Sequence, residues 1–382
     1  MPFWRASTGA EQRIRALVNC LIKQELQLLL FIIATSEADE IRQEVERCSE
    51  LRSPNLTVEV RTSDHPPTEQ ITKKTRRLND FHQPWAAHKF AFSVDQFQPD
   101  SIIIEFARLA YLIDSINQPI KPVQTIIDTH DMLHKRYQDF KSRGESHWIA
   151  IDAAEEAEVL NRFDIVIAIQ PLEAEQMASM APSAKVILCK HACFPNGTHP
   201  NVVDFQSRTT NQKIRFGILA SNNPANRNAI GNFIENIWLR YFATAGHIQL
   251  TIAGSVCAGL TLDQPVAHNI VWAPELNSAD HFYRHIDIVV NPIEFGAGLK
   301  IKNVEAIAYG KPLITTSHGA DGFIDVPHAS VLVADGPQQW AHAIDQLSDF
   351  TEIAHTSELA LQLSASQFSE AAVYGPLLQE IL

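Results

Sequence analysis

Ten short runs of apolar, largely β-branched residues punctuate the chain. They are LLLFIIAT at 28–35, SIIIEFA at 101–107, VQTIIDTH at 123–130, FDIVIAIQ at 163–170, AKVILCK at 184–190, IRFGILA at 214–220, IQLTIAG at 248–254, IDIVVNP at 286–292, PLITTS at 312–317 and SVLVA at 330–334. Between most of them lie stretches of about 10 to 20 residues with helical periodicity. Continuous apolar strands separated by helices predict parallel sheets covered on both faces, so the expected class is α/β, doubly wound. From about residue 337 only helical periodicity remains, ending in the amphipathic stretch QFSEAAVYGPLLQEIL.

A chain of 382 residues exceeds the roughly 250 to 300 at which a single core stops growing, which argues for two domains. The polar stretch HPNVVDFQSRTTNQK at 199–213 divides the strands into two sets and fits a linker, with the boundary near 205. The expected organisation is an N-terminal Rossmann-like domain over 1–205, a C-terminal one over 206–355, and helices over 356–382 that pack back toward the N-terminal domain. Two such domains would make a cleft faced by the carboxyl ends of both sheets, where ligands of open α/β sheets bind.

Composition narrows the function classes. With 45% hydrophobic and 20% charged residues and a net charge of −13, a general nucleic-acid surface is excluded. The longest apolar run, LQLLLFIIA at 26–34, is too short for a membrane-spanning helix of about 20 residues. The start MPFWRASTGAEQ lacks the n- and h-regions of a signal peptide, and the five cysteines are odd in number and sparse, which predicts a reducing, cytoplasmic compartment. Against the acidic background, TKKTRRLNDFHQPW at 72–85 concentrates four basic residues. It could meet an anionic membrane at its inner face or a lipid-diphosphate acceptor, and a solvated helix face explains it equally well.

The sharpest chemical signal is NPIEFGAGLKIKNVEAIAYGKPLITT at 291–316. It reads as a strand end, a glycine loop, a helix beginning near Leu299, and a stop at Gly310 before Lys311 and Pro312. Gly296 and Gly298 allow close backbone approach to a ligand, and the unsatisfied N–H groups of the helix start make an anion seat, phosphate above all. Ile301, Val304 and Ala308 define the inward stripe of the helix, and Glu305 falls on it. A buried carboxylate needs a partner. The two hydroxyls of a ribose would serve, with Lys300 and Lys302 as the nearest cations for a diphosphate; internal pairing with a lysine is the competing reading. The stretch fails as a dinucleotide fingerprint, having GxG without a third glycine, and no early strand carries one either, which disfavours a nicotinamide-dependent oxidoreductase.

VVNPIEFGAGLKIKNVEAIAYGKPLITTSHGADGF resembles the donor-site signature of GT-B glycosyltransferases, in particular the family 4 type. The likeness extends to TIIDTHDMLHKRY at 125–137, FDIVIAIQPLEAEQM, FGILASNNPANRNAI, and VWAPELNSADHFYRHIDIVVNP, covering most of the chain. The resemblance implies a nucleotide-sugar-dependent transferase of the retaining kind, hexosyltransferase-like, acting in bacterial glycan assembly. Its acceptor would be a glycan, a lipid-linked molecule or a protein. It further implies that Glu305 holds the donor ribose, that Gly296, Ala297 and Gly298 with Leu299 and Lys300 hold the phosphates or sugar, that Trp272, Pro274 and Glu275 lie against the base, and that Gly9 opens the loop and helix on the first domain's donor side. His130 would face the donor sugar. As a bare histidine at the end of an apolar strand, it reads as structural.

Departure of a nucleoside diphosphate can be stabilised by a helix N-terminus and lysines. No Asp-x-Asp pair occurs, so metal independence and the absence of a cofactor are expected. CKHAC at 189–193 places Cys189, His191 and Cys193 close in sequence but lacks a second pair for a structural zinc set. Two departures from the family pattern stand out. Ala297 occupies the position of the first of two donor-loop glutamates, leaving Glu294, eleven residues before Glu305, to contact the sugar. Thr8 and Glu11 form a capping box before a helix with the stripe Ile14, Leu17, Val18 and Leu21, so the first, normally central strand of the N-terminal domain is expected to be missing. That gap motivates the alternative of a GT-B-fold pseudoenzyme or partner subunit, which would bind a nucleotide sugar or another protein without transfer.

Overall fold

A computed structural model describes residues 2–6, 8–34, 38–63, 75–116, 122–193, 212–261, 268–276, 278–295, 299–322 and 328–382. The chain divides into two compact units, residues 1–190 with 373–382, and residues 191–372. Most of the polar stretch expected as a linker, 199–211, lies outside the described residues.

In the first unit, strands β1 (Leu28–Ala34) and β2 (Leu56–Thr62) pair in parallel, with Leu28 opposite Leu56 and Ala34 opposite Thr62. A separate parallel sheet contains β3 (Ser101–Glu105), β4 (Gln124–Asp128), β5 (Ile165–Ala168) and β6 (Lys185–Leu188) in that order. Helices α1 (Gly9–Lys23), α2 (Ala38–Arg47), α3 (Pro84–Phe97), α4 (Leu133–Ser142), α5 (Ala153–Leu160) and α6 (Pro171–Met180) accompany them. Among the described residues each sheet has its own core cluster. Phe3, Trp4, Ile14, Val45 and Leu51 pack beside β1 and β2, whereas Phe90, Ile104, Ile127, Val166 and Leu160 belong to the core of the four-stranded sheet.

The second unit has one sheet of six parallel strands: β7 (Ile214–Leu219), β8 (Ile248–Ala253), β9 (Ile270–Ala273), β10 (Ile288–Asn291), β11 (Leu313–Thr315) and β12 (Val331–Val333). Their spatial order is β12-β11-β10-β7-β8-β9. Renumbered from β7, this is the doubly wound 3-2-1-4-5-6 order, whose direction reverses between β7 and β10. Helices α7 (Pro224–Phe233), continued by a π-helical segment Ile234–Phe242, α8 (Ala279–His285), α9 (Ile301–Ala308), α10 (Pro337–Gln346) and α11 (Phe350–Gln367) follow, and α12 (Glu370–Ile381) closes the chain. Phe216, Trp238, Leu250, Ile288 and Trp340 fill the core.

The same order explains the division of the first unit. If β1 and β2 occupy positions 2 and 3, and β3 onward occupy position 4 and beyond, no strand among the described residues fills position 1. A strand there would bridge the two sheets. Among the described residues no strand precedes α1, which the chain enters through a single 3-10 turn, Phe3–Arg5. Phe3 and Trp4 are buried there, the Trp4 Nε1 donating to Glu44 Oε2 at 2.7 Å. The capping box is present: Glu11 N–H donates to Thr8 Oγ1 at 3.3 Å and Thr8 N–H to Glu11 Oε2 at 3.1 Å. The end of α12 completes this unit, Tyr374 donating to Arg13 O at 3.4 Å and Lys185 pairing with Glu380 at 2.5 Å.

Candidate functional site

In the second unit the site grows from the carboxyl end of β10. Residues 292–295 leave the strand, 296–298 lie outside the described residues, and α9 begins at Ile301 with Lys300 as its N-cap. Lys300 gives no side-chain cap to the helix N–H groups. Leu299 is buried beneath the start of the helix, and every residue from Asn303 to Ala308 is buried. Asn303 ties the elements together: Asn291 Nδ2 donates to its Oδ1 at 2.7 Å, and its own Nδ2 donates to Gly319 O at 2.7 Å. Thr316 Oγ1 donates to Ile293 O and accepts from Gly319 N–H at 2.8 Å, so the β11 turn is fastened to the loop after β10. Gly310, at φ +64°, ends the helix as the sequence predicts, with Lys311 N–H donating back to Ala306 O at 2.9 Å.

Glu305 is 3% exposed. Tyr283 donates to its Oε2 at 2.7 Å, and Lys302 Nζ donates to Oε1 at 3.0 Å and Oε2 at 2.8 Å. The internal lysine pairing is therefore present. It involves a lysine whose side chain is 35% exposed, while Tyr283 is wholly buried and stacked on Tyr309 at 4.6 Å. Burial first, and the Glu305 charge next, push the Tyr283 hydroxyl well up and raise the Cys193 thiol. Both stay neutral beside the carboxylate. Oε1, with a single donor, keeps a lone pair in reserve.

Trp272 lies half-buried in β9, with Pro274 and Glu275 exposed just past its end. Glu294 lines a cavity of about 410 Å³ at the carboxyl ends of β10, β11 and β12, together with Pro292, Thr316, His318, Asp335 and Trp340. Glu294 and Glu305 thus belong to the same end of one sheet. Gly296, Ala297 and Gly298 lie outside the described residues.

Two predicted residues sit in the first unit. Gly9 is the first residue of α1. His130 follows β4 at φ +65°, its Nε2 2.6 Å from Glu105 Oε2 and its ring stacked on Phe106 at 4.0 Å. Behind it Arg13 and Asp128 form an ion pair at 2.8 Å, each side chain 1% exposed. Burial alone would lift the Asp128 carboxyl, but the Arg13 charge holds it below the usual range. Burial and then the Asp128 charge push the Glu105 carboxyl up. Glu105, Asp128 and His130 bring ligand atoms within 4.8 Å of one another, the spacing of a metal site, but Arg13 occupies both Asp128 oxygens.

Sequence reasoning missed Glu105, Arg13, Tyr283 and Asn303. A lone carboxylate closing the run SIIIEFA, and an arginine inside an apolar helical stripe, were usable signals for the first two; Tyr283 and Asn303 carried none. Of the basic run, 72–74 lie outside the described residues, Arg76 stacks over Phe81 at 4.1 Å, and Arg77 pairs with Glu155. No helix among the described residues is long and apolar enough to cross a membrane.

Residues 214–349 match the family described as Glycosyl transferases group 1. No curated protein matches the chain. Among solved structures, sucrose-phosphate synthase from Thermosynechococcus elongatus is similar with a TM-score of 0.70 and 14% identity, covering 97% of this chain and 92% of its own. HepE of Anabaena in complex with UDP gives 0.65 and 13%, covering 96% and 94%. A glycosyltransferase from Rickettsia africae gives 0.63 and 11%, covering 98% and 94%. At such identities these likenesses speak for the fold alone. Residues 214–349 thus match the Glycosyl transferases group 1 model, and the chain has the two-domain GT-B fold.

Proposed function

We propose that the protein transfers a sugar from a nucleoside diphosphate sugar to a glycan, lipid-linked or protein acceptor, without a metal and with retention of anomeric configuration. The observation that carries this reading is Glu305, a carboxylate buried on α9 within the group 1 domain, held by Tyr283 and by a lysine exposed enough to swing away. A ribose would displace Lys302 from Oε1 and leave Tyr283 on Oε2. The released lysine then lies beside the diphosphate. Developing charge on the leaving diphosphate would meet the uncapped start of α9, Lys300 and the backbone of Gly296, Ala297 and Gly298. Trp272, Pro274 and Glu275 are proposed to flank the base, Glu294 and His130 to act on the sugar, and Gly9 to approach the donor. Retention rests on the resemblance to the family 4 type. A lipid-linked acceptor would meet the basic run at 72–85.

HepE binds UDP and UDP-glucose, which makes uridine diphosphate and its sugars the first probes. The test is thermal unfolding against uridine, guanosine, adenosine and thymidine diphosphates and their sugars, with Glu305→Ala read against its own unliganded midpoint. At 100 times its dissociation constant a ligand adds about 2.7 kcal/mol, a shift of about 5 °C or more for a unit of this size. One base class should shift the wild type and leave Glu305→Ala unmoved. If none shifts the folded wild type, the donor site is misassigned; binding without turnover would favour the non-transferring alternative.

A further inference from the structure

Glu105 and His130 are assembled with more care than a chance surface pair. β3 and β4 run in parallel with Glu105 directly opposite Asp128, so both strands end at the same level. Phe106 N–H then donates to Asp128 O at 2.9 Å. Both Phe106, at φ +72°, and His130, at φ +65°, have a positive φ, uncommon for side-chain-bearing residues. These two turns lay the rings face to face at 4.0 Å and 17°. Arg108 sits 4.0 Å from the same Phe106 centroid, and since two planar groups at that distance cannot share one face, the order is Arg108, Phe106, His130. The imidazole is thus fixed in plane by a stack and in rotation by a carboxylate at 2.6 Å, with side chains 7% and 21% exposed. Strain held at such a point is a pointer to function.

We propose that Glu105 is the positioning residue of His130: its ionised carboxylate accepts the Nε2 proton and leaves Nδ1 bare to accept a hydrogen bond from a hydroxyl of the sugar substrate. This rests on the proposed role of His130 toward the sugar and deepens it by naming the tautomer, the presenting atom and the residue that sets both. A carboxylate can only accept, so an ionised Glu105 dictates an N–H at Nε2. His130 makes no other side-chain hydrogen bond among the described residues, and Nδ1 is its remaining polar atom. The surrounding charges are Asp128 on β4, neutralised by Arg13 of α1; Arg108 in the 3-10 segment Ala107–Ser115; and Asp131, paired with Arg136 of α4. With Asp128 and Asp131 each matched by an arginine, Glu105 is the carboxylate left to orient the ring.

The test combines spectroscopy and kinetics on the full chain. With 15N-labelled histidine, wild type at neutral pH should show His130 protonated at Nε2 and bare at Nδ1; Glu105→Gln, whose amide oxygen still accepts, should keep that tautomer, and Glu105→Ala should mix the two. Against the best donor, Glu105→Ala should lower kcat about 100-fold, the cost of a misplaced group, with KM little changed, and Glu105→Gln should recover part of it. His130→Ala combined with Glu105→Ala should be no slower than His130→Ala alone. A proton on Nδ1 in the wild type overturns the proposal, as does full activity of a folded Glu105→Ala beside an impaired His130→Ala. Full activity of His130→Ala instead overturns the sugar-facing reading of His130 on which the proposal rests, while the nucleotide shifts that test Glu305 are unaffected.

Discussion

Asn in place of Asp128 removes one charge from the interior of the first unit and almost nothing of its shape. Arg13 Nε donates to both Asp128 oxygens at 3.1 and 2.8 Å and Nη2 to Oδ1 at 2.9 Å, while Nη1 donates to Cys189 O at 3.0 Å and Lys190 O at 2.8 Å. With both side chains 1% exposed, the variant leaves a buried guanidinium without its counter-ion. Breaking such a pair costs about 3 to 5 kcal/mol, a large part of the roughly 5 to 15 kcal/mol that holds a domain. Replacing both partners, Arg13→Met with Asp128→Leu, removes the desolvation cost as well and should recover most of the loss. Urea unfolding followed by circular dichroism resolves the comparison. Loss of less than about 1 kcal/mol in Asp128→Asn, or a double variant no more stable than the single, would refute this account. The pH dependence has a definite sign. Asp128 titrates below its ordinary value in the folded chain, so its contribution is complete above the unfolded value of about 3.9 and is lost as pH falls further. Glu105, pushed up, acts in the opposite sense and penalises the folded state as it ionises. Asp128→Asn should therefore flatten the acid limb of the stability curve below about pH 4.

Tyr283→Phe removes the buried donor at 2.7 Å from Glu305 and keeps the ring stacked on Tyr309. We expect a stability loss of about 1.5 to 3 kcal/mol and weaker nucleoside diphosphate binding by calorimetry; unchanged affinity would mean that Glu305 is not the ribose ligand. Gly310→Ala meets both a φ of +64° and the Leu361 side chain 3.0 Å from the added Cβ, whereas Gly144→Ala, at φ +73°, meets nothing within 4 Å. Denaturant unfolding should show Gly144→Ala costing about 1 kcal/mol and Gly310→Ala more, and equal costs would mean that Leu361 yields freely.

All ten apolar runs are strands in the structure, because a strand buried on both faces can hardly be written any other way. The two strands that escaped are both at sheet edges. β2, LTVEVRT, alternates polar and apolar residues and is half-exposed; β9 is four residues long with Val271 38% exposed. An edge strand needs only one covered flank, so its pattern thins to that of a loop. The start of α1 was legible for the opposite reason, since the capping box at Thr8 and Glu11 is a local pattern that fixes the first turn of the helix wherever the chain leads.

The two halves of the candidate site differ in legibility because they are built on different scales. Around α9, Asn291, Asn303 and Glu305 lie within fifteen residues of one another, and Lys302 reaches Glu305 within a single helical turn. A contiguous motif therefore carries most of that geometry, while Tyr283 reaches Glu305 from α8, outside it. Around His130 the partners are 25 residues apart for Glu105, and Arg13 and Asp128 are 115 apart. No spacing rule links residues on β3, β4 and α1; only the parallel register that levels Glu105 with Asp128 brings them together. The sequence could thus propose His130 but not its orientation. A histidine at a strand end becomes a chemical group with a chosen tautomer only once the neighbouring strand ends beside it in a carboxylate, which is a property of the sheet and not of either segment.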